Sequence, residues 1–310
     1  MTERVLVLGA NGFLGSHVVD NLIAEGFMVR AFDMYQDFDH FHFESDSRIE
    51  IFNGNFLNQN DIVQALKDVD YVIHLVSTTN PATADADPLI DIDTNIMGSV
   101  QLFQKCVSNG KIKKIIYSSS GGTVYGDRDF KKPVSELEYT WPVSPYGIGK
   151  LTIENYLHYF DKKNGQKYTA FRIANPFGER QPIFKKQGAI AIFTDAILND
   201  SPITILGDGN MIRDYVYVRD IAKVIVKSLK KELNHSIYNL GSGDGKSVIQ
   251  IVHELEKNLG KKAIIKYVPK PETYVDYSVL DIGRMKKDFA EVEITPFEEA
   301  LEKFVKSLGK

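Results

Sequence analysis

The chain has 310 residues, 43% hydrophobic and 25% charged, with a formal net charge of -4. That is enough apolar material for one large or two modest domains, and its scattered basic residues argue against a nucleic-acid partner. Cys106 is the sole cysteine, no apolar run approaches a membrane span, and Met1-Thr2-Glu3-Arg4 does not open a signal peptide; a cytoplasmic location without disulfides or a membrane partner is expected.

In chain order, short apolar runs at Val5 to Leu8, Met28 to Phe32, Ile49 to Phe52, Tyr71 to Leu75 and Ile115 to Ser118 read as buried strands. Amphipathic stretches between and after them, Gly15 to Ala24, Asp61 to Leu66, Ile90 to Val107 and Tyr146 to Lys162, read as helices. Strict alternation predicts a parallel, doubly wound α/β sheet with right-handed crossovers, which binds ligands at the carboxyl ends of its strands. A further strand spans Tyr168 to Ile173, after which Pro176, Pro182 and Pro202 interrupt the pattern and a smaller second lobe is expected. The aromatic, acidic stretch Tyr35 to Ser47 reads as a surface loop. Its His40 and His42 lack a third spaced ligand and are expected to be solvated; no metal site is expected.

The first strand runs directly into Gly9-Ala10-Asn11-Gly12-Phe13-Leu14-Gly15 at the start of a helix. Gly9 permits a tight turn, Gly12 lets the backbone approach a pyrophosphate, and Gly15 lets helix and strand pack closely; the helix N-terminus adds free amides and a positive dipole end. Asp33 ends the second strand, where a carboxylate can accept hydrogen bonds from ribose hydroxyls and repel a 2'-phosphate. NAD is therefore expected over NADP. Tyr146 and Lys150, four residues apart, share one face of a helix that Pro145 helps begin. An ammonium beside a phenol favours phenolate, so Lys150 and a bound nicotinamide are expected to make Tyr146 a usable base near neutrality.

With these residues the chain resembles the extended short-chain dehydrogenase/reductase family, in particular its nucleotide-sugar epimerases and dehydratases. Further motifs carry the resemblance: His74-Leu75-Val76-Ser77, Ser118-Ser119-Ser120 with Val124-Tyr125-Gly126, Asn175-Pro176, and Arg213-Asp214-Tyr215-Val216-Tyr217-Val218-Arg219-Asp220. The resemblance covers nearly the whole chain. It implies a Rossmann domain over residues 1–175, also taking in about 214–240, interleaved with a smaller substrate-binding lobe over 176–310. It implies a homodimer through Ile90 to Val107 and Tyr146 to Lys162. It also places Asn55 and Phe56 beside the adenine, Leu75 and Ser77 along the cofactor with Asn95 nearby, and Lys150 on the nicotinamide ribose. Asn175 and Arg213 match positions that hold the diphosphate of a nucleotide sugar, for which a guanidinium's fork of donors is suited.

Dehydratases of the family carry an Asp-Glu pair where this chain has Gly122-Thr123, and decarboxylating relatives keep a glutamate at the position of Thr123; both reactions are disfavoured. What remains is reversible hydride transfer at one carbon, and the reading is a UDP-hexose 4-epimerase that passes through a 4-keto sugar with Tyr146 as acid and base. The alternatives are a reductase or dehydrogenase of a 4-keto nucleotide-6-deoxysugar and a non-catalytic dinucleotide sensor. Three positions depart from the family pattern. The hydroxyl-bearing catalytic position falls on Gly121, leaving Ser120 or Thr123 to donate that hydrogen bond. The family's acidic position near adenine is occupied by Asn55. No arginine occupies Lys270-Pro271-Glu272-Thr273-Tyr274, where Lys270 is the possible substitute. Gly243-Asp244-Gly245-Lys246-Ser247 lacks the earlier glycine of a P-loop and reads as a turn into a helix capped by Ser247.

Overall fold

The computed structural model describes residues 2–35, 42–127, 131–183, 188–270 and 275–309. The alternating pattern builds β1 (Arg4–Leu8), α1 (Phe13–Ala24), β2 (Met28–Asp33), β3 (Ile49–Asn53), α2 (Gln59–Ala65) and β4 (Tyr71–His74). Next come α3 (Pro81–Ala86), α4 (Pro88–Ile90), a π-helical stretch Asp91–Ile96, α5 (Met97–Asn109), β5 (Lys114–Ser120), α6 (Pro145–Asn164) and β6 (Tyr168–Ile173). The sequence predicts no helix at α3, although Asn80 forms a capping box with Thr83 ahead of Pro81. The helix predicted from Ile90 to Val107 is broken by the π-helical stretch, which no periodicity signals.

The second half contributes β7 (Asn175–Phe177), α7 (Ala189–Leu198), β8 (Pro202–Leu206), β9 (Ile212–Tyr217), α8 (Val218–Lys227) and β10 (Ile237–Leu240). It ends with β11 (Gly245–Ser247), α9 (Val248–Leu259), β12 (Ile264–Val268), β13 (Tyr277–Ser278), α10 (Gly283–Asp288) and α11 (Phe297–Ser307). Ser247 caps α9 by accepting from the Gln250 amide, as its place in the sequence predicts.

Seven parallel strands in the order β10-β6-β5-β4-β1-β2-β3 form the main sheet. The order reverses between β1 and β4, and that switch point opens a crevice at the strands' carboxyl ends. Apolar side chains of α1, α8 and α10 cover one face and those of α2, α5 and α6 the other, as a sheet buried on both sides requires. A third core joins α7, α9 and α11 to β8 and β9. There β7, β11 and β13 pair with β9, and β12 pairs with β8. Among the described residues no helix is long and apolar enough to cross a membrane.

Candidate active site

The glycine turn lies at the switch point. Gly9 adopts φ +86°, and its amide donates to the Phe32 carbonyl at the end of β2. A Cβ on Gly15 would sit 1.9 Å from the Gly9 carbonyl oxygen, so helix and turn meet only because that residue has no side chain. Gly12 begins α1 and no side chain caps the helix there, while Phe13 and Leu14 form its partly buried first turn. The result is a shallow cradle of backbone amides at a positive helix end, which fits a pyrophosphate. Asp33 stands beside it: one carboxylate oxygen accepts from the Asn11 amide at 2.8 Å and the other from the Met34 amide at 2.8 Å. Each oxygen keeps a lone pair for a ribose hydroxyl. The residues present therefore fit a dinucleotide with an unphosphorylated ribose.

His42 is exposed, as expected of a loop histidine, and its amide and ring Nδ1 both bond to Asn11, on the side chain at 2.9 Å and the carbonyl at 2.7 Å. The loop histidine thus braces the glycine turn. His40 lies outside the described residues. Asn55 is exposed beyond β3, its side-chain oxygen accepting from the Leu57 amide. Phe56 turns inward instead, buried with its ring 5.0 Å from that of His74. Leu75 follows β4, where its amide donates to the Leu8 carbonyl, and its own carbonyl carbon lies against Gly9. Asn95 is buried in the π-helical stretch, donating to Thr79 and Asp91 while accepting from the Thr78 amide.

Across the crevice, Ser144 caps α6 by accepting from the Gly147 amide, and Pro145 occupies its first turn. Gly147 lets that turn press on Thr123, whose carbonyl oxygen would be 2.8 Å from an added Cβ. Lys150, four residues after Tyr146, donates to the Ser118 carbonyl at 3.0 Å and lies over the Tyr117 and Tyr146 rings at 5.1 and 5.5 Å. Burial pushes the Tyr146 phenol up to about 12, while the Ser77 hydroxyl hydrogen-bonded to it draws it back and the Asp91 charge adds to the rise. In the protein by itself, desolvation dominates the Tyr146 phenol. Lys150 is itself drawn down to about 8 by burial, opposed by Asp91 and Glu154.

Position 121 has a steric cause. A Cβ there would come 2.5 Å from Leu280 Cδ1 and 2.9 Å from the Arg172 carbonyl oxygen, so no hydroxyl-bearing side chain fits. Of the two substitutes, Thr123 has a buried Oγ1 without a hydrogen-bond partner among the described residues, poised beside Tyr146's helix. Ser120 ends β5 half-buried. Beneath them lies a network the sequence did not signal. Glu154 on α6 pairs with Arg172 on β6 at 2.7 Å, both almost wholly buried, with Ser119 donating to Glu154 and Arg172 donating to the Tyr125 hydroxyl.

Asn175 and Arg213 line one cavity of about 390 Å³ together with Phe177, Phe193, Leu206 and Tyr215. Asn175 is fixed by donating to the Asp214 carbonyl at 2.8 Å, and Arg213 donates to the carbonyls of Ile212 and Val275. The Asp214 carboxylate is buried and accepts from Ser242, Gly243 and Leu280. Lys270 forms an ion pair with Asp276; Pro271, Glu272, Thr273 and Tyr274 lie outside the described residues.

Comparison with known proteins agrees with this geometry. The family model described as NAD dependent epimerase/dehydratase matches residues 5–241. A putative UDP-glucose 4-epimerase of Methanocaldococcus jannaschii is 34% identical over 90% of each chain. A dTDP-4-dehydro-6-deoxyglucose reductase of Escherichia coli is 31% identical over 98% of this chain and 97% of its own. The solved UDP-glucose 4-epimerase of Thermotoga maritima with UDP-glucose superposes with a TM-score of 0.90 at 33% identity, covering 99% of this chain and 98% of the other. A dinucleotide cradle, a facing Tyr-Lys helix and a family match over more than two thirds of the sequence lead to one assignment: the chain belongs to the NAD dependent epimerase/dehydratase family.

Proposed function

We propose that the protein is an NAD-dependent 4-epimerase of a UDP-hexose. The observation that carries this reading is Tyr146 and Lys150 on the first turns of α6, lining a cleft with Val76, whose backbone lies against Gly9 of the glycine turn. The cavity that holds Asn175 and Arg213 supports a diphosphate-linked sugar as substrate. Tyr146 takes the proton of the C4 hydroxyl and later returns it, while Lys150 stabilises the phenolate charge and Thr123 or Ser120 donates to the C4 oxygen. NAD, when bound, supplies the reversible acceptance of the C4 hydride. Arg213 and Asn175 anchor the diphosphate so that the 4-keto sugar can turn over without leaving.

The reductase of a 4-keto nucleotide-6-deoxysugar is kept as a second reading because the Escherichia coli relative bearing that activity aligns over almost the entire chain. UDP-glucose deuterated at C4 separates the two. The epimerase reading predicts UDP-galactose that retains the deuterium with no net cofactor consumed; turnover only of a 4-keto sugar, with stoichiometric oxidation of added reduced cofactor, supports the reductase. A homodimer through Ile90 to Val107 and Tyr146 to Lys162 is proposed as well, supported by the exposed apolar side chains Ile92, Met97, Ile148, Tyr156 and Tyr159 on those segments. A cytoplasmic location goes with the same reading.

A further inference from the structure

The π-helical stretch Asp91–Ile96 interrupts the helix packed against α6, and such interruptions concentrate at functional sites. Its first residue is an acid that is 3% exposed. One oxygen of the Asp91 carboxylate accepts from the Thr79 hydroxyl at 2.5 Å and the Asn95 amide at 2.8 Å. The other occupies the place a Cβ of Gly149 would take, 2.0 Å from it. Gly149 lies between Tyr146 and Lys150, so the absent side chain is what lets a carboxylate approach the pair. Asp91, Asn95, Tyr117, Tyr146 and Lys150 line one narrow cleft with no room for a water molecule.

A buried carboxylate needs a cation nearby to offset its desolvation. Among the described residues none pairs with Asp91 within 4.0 Å. The groups facing Lys150 are few. Its own helix supplies Tyr146 and Glu154; β5 supplies the Tyr117 ring and the Ser118 carbonyl; β4 supplies His74; the π-helical stretch supplies Asp91 and Asn95. His74 is held neutral by burial, and Glu154 is committed to Arg172. Asp91 is thus the anion left to balance Lys150. We propose that Asp91 is a positioning residue for the Tyr146-Lys150 pair, a buried counter-charge that reaches through the gap at Gly149. Its charge favours the protonated form of both Lys150 and Tyr146.

The inference rests on the reading of Tyr146 and Lys150 as the reacting pair, and the test therefore includes a readout that needs no substrate. Asp91→Asn keeps the shape and most hydrogen bonds but removes the charge. Both limbs of its pH-rate profile should move to lower pH by about one unit, and Asp91→Glu should restore the profile. In parallel, the pH dependence of Lys150 acetylation by trace acetic anhydride, read by peptide mass spectrometry, should shift acid-ward by a similar amount in the Asn variant. Should Asp91→Asn fold poorly, the smaller neutral Asp91→Ser gives the same reading. A labelling curve that stays in place in a folded neutral variant overturns the proposal, even if no UDP-sugar proves to be a substrate. A pH profile that is lowered without moving assigns Asp91 a packing role only and overturns it too.

Discussion

Replacing Gly121 with Ala tests whether packing, rather than chemistry, emptied the position where relatives are expected to carry a hydroxyl. Gly121 does not have a positive φ, so the loss of backbone freedom in the unfolded chain would by itself make the change stabilising by about 0.4–1 kcal/mol. Against that, the new Cβ meets Leu280 Cδ1 at 2.5 Å and the Arg172 carbonyl at 2.9 Å, and Leu280 is 2% exposed in a packed core. Overpacking of this kind costs about 1–3 kcal/mol, so the net expectation is a loss of about 1–2 kcal/mol. Leu280→Ala alone should cost about 2–5 kcal/mol through its cavity. The double variant should recover about 1 kcal/mol relative to the sum, because the cavity receives the new methyl while the Arg172 carbonyl still crowds it. Denaturant unfolding of the wild type and the three variants completes the cycle. A Gly121→Ala protein as stable as the wild type, with no coupling to Leu280, refutes the argument. Gly121→Ser meets the same wall and should gain no activity by itself.

Other outcomes follow from the same geometry. Tyr146→Phe should lower kcat about 10²–10⁴-fold while leaving nucleotide-sugar binding in place, measured by product formation and calorimetry. Glu154→Ala strands Arg172 as a buried charge and should cost about 3–5 kcal/mol in urea unfolding, whereas replacing both partners with apolar residues of similar volume should cost much less. His74, buried with its Nε2 on the Ser99 hydroxyl and its Nδ1 without a partner among the described residues, is drawn down to about 3 by burial. Its folded value lies below the unfolded one, so its stabilising effect is complete above about pH 6.5 and is lost as pH falls towards 3, by up to about 1.4 kcal/mol per unit. His74→Gln should flatten the decline in unfolding midpoint between roughly pH 7 and pH 4.

The sheet was legible because its strands are uninterrupted apolar runs separated by amphipathic helices, and the glycine turn because each of Gly9, Gly12 and Gly15 sits where sterics demand it. Tyr146 and Lys150 were legible through their spacing on one helix. What escaped depends on tertiary approach. Asp91 looks like one of several acids on an exposed helix until the π-helical stretch turns it inward against Gly149. Glu154 and Arg172 come from α6 and β6, and no local pattern marks them as partners. Leu280 bars a side chain at Gly121 from 159 residues away in the chain. Desolvation of Tyr146 likewise depends on everything packed around it, which the spacing of Tyr146 and Lys150 does not show.

The most direct test of the central claim is proton NMR of the purified protein with UDP-glucose, UDP-galactose and their N-acetylated and uronic-acid relatives, with NAD supplied. The account predicts a C4 epimer from at least one of them, and none with Tyr146→Phe. Absence of any epimer with the wild-type protein, or undiminished conversion by the Phe variant, would contradict it.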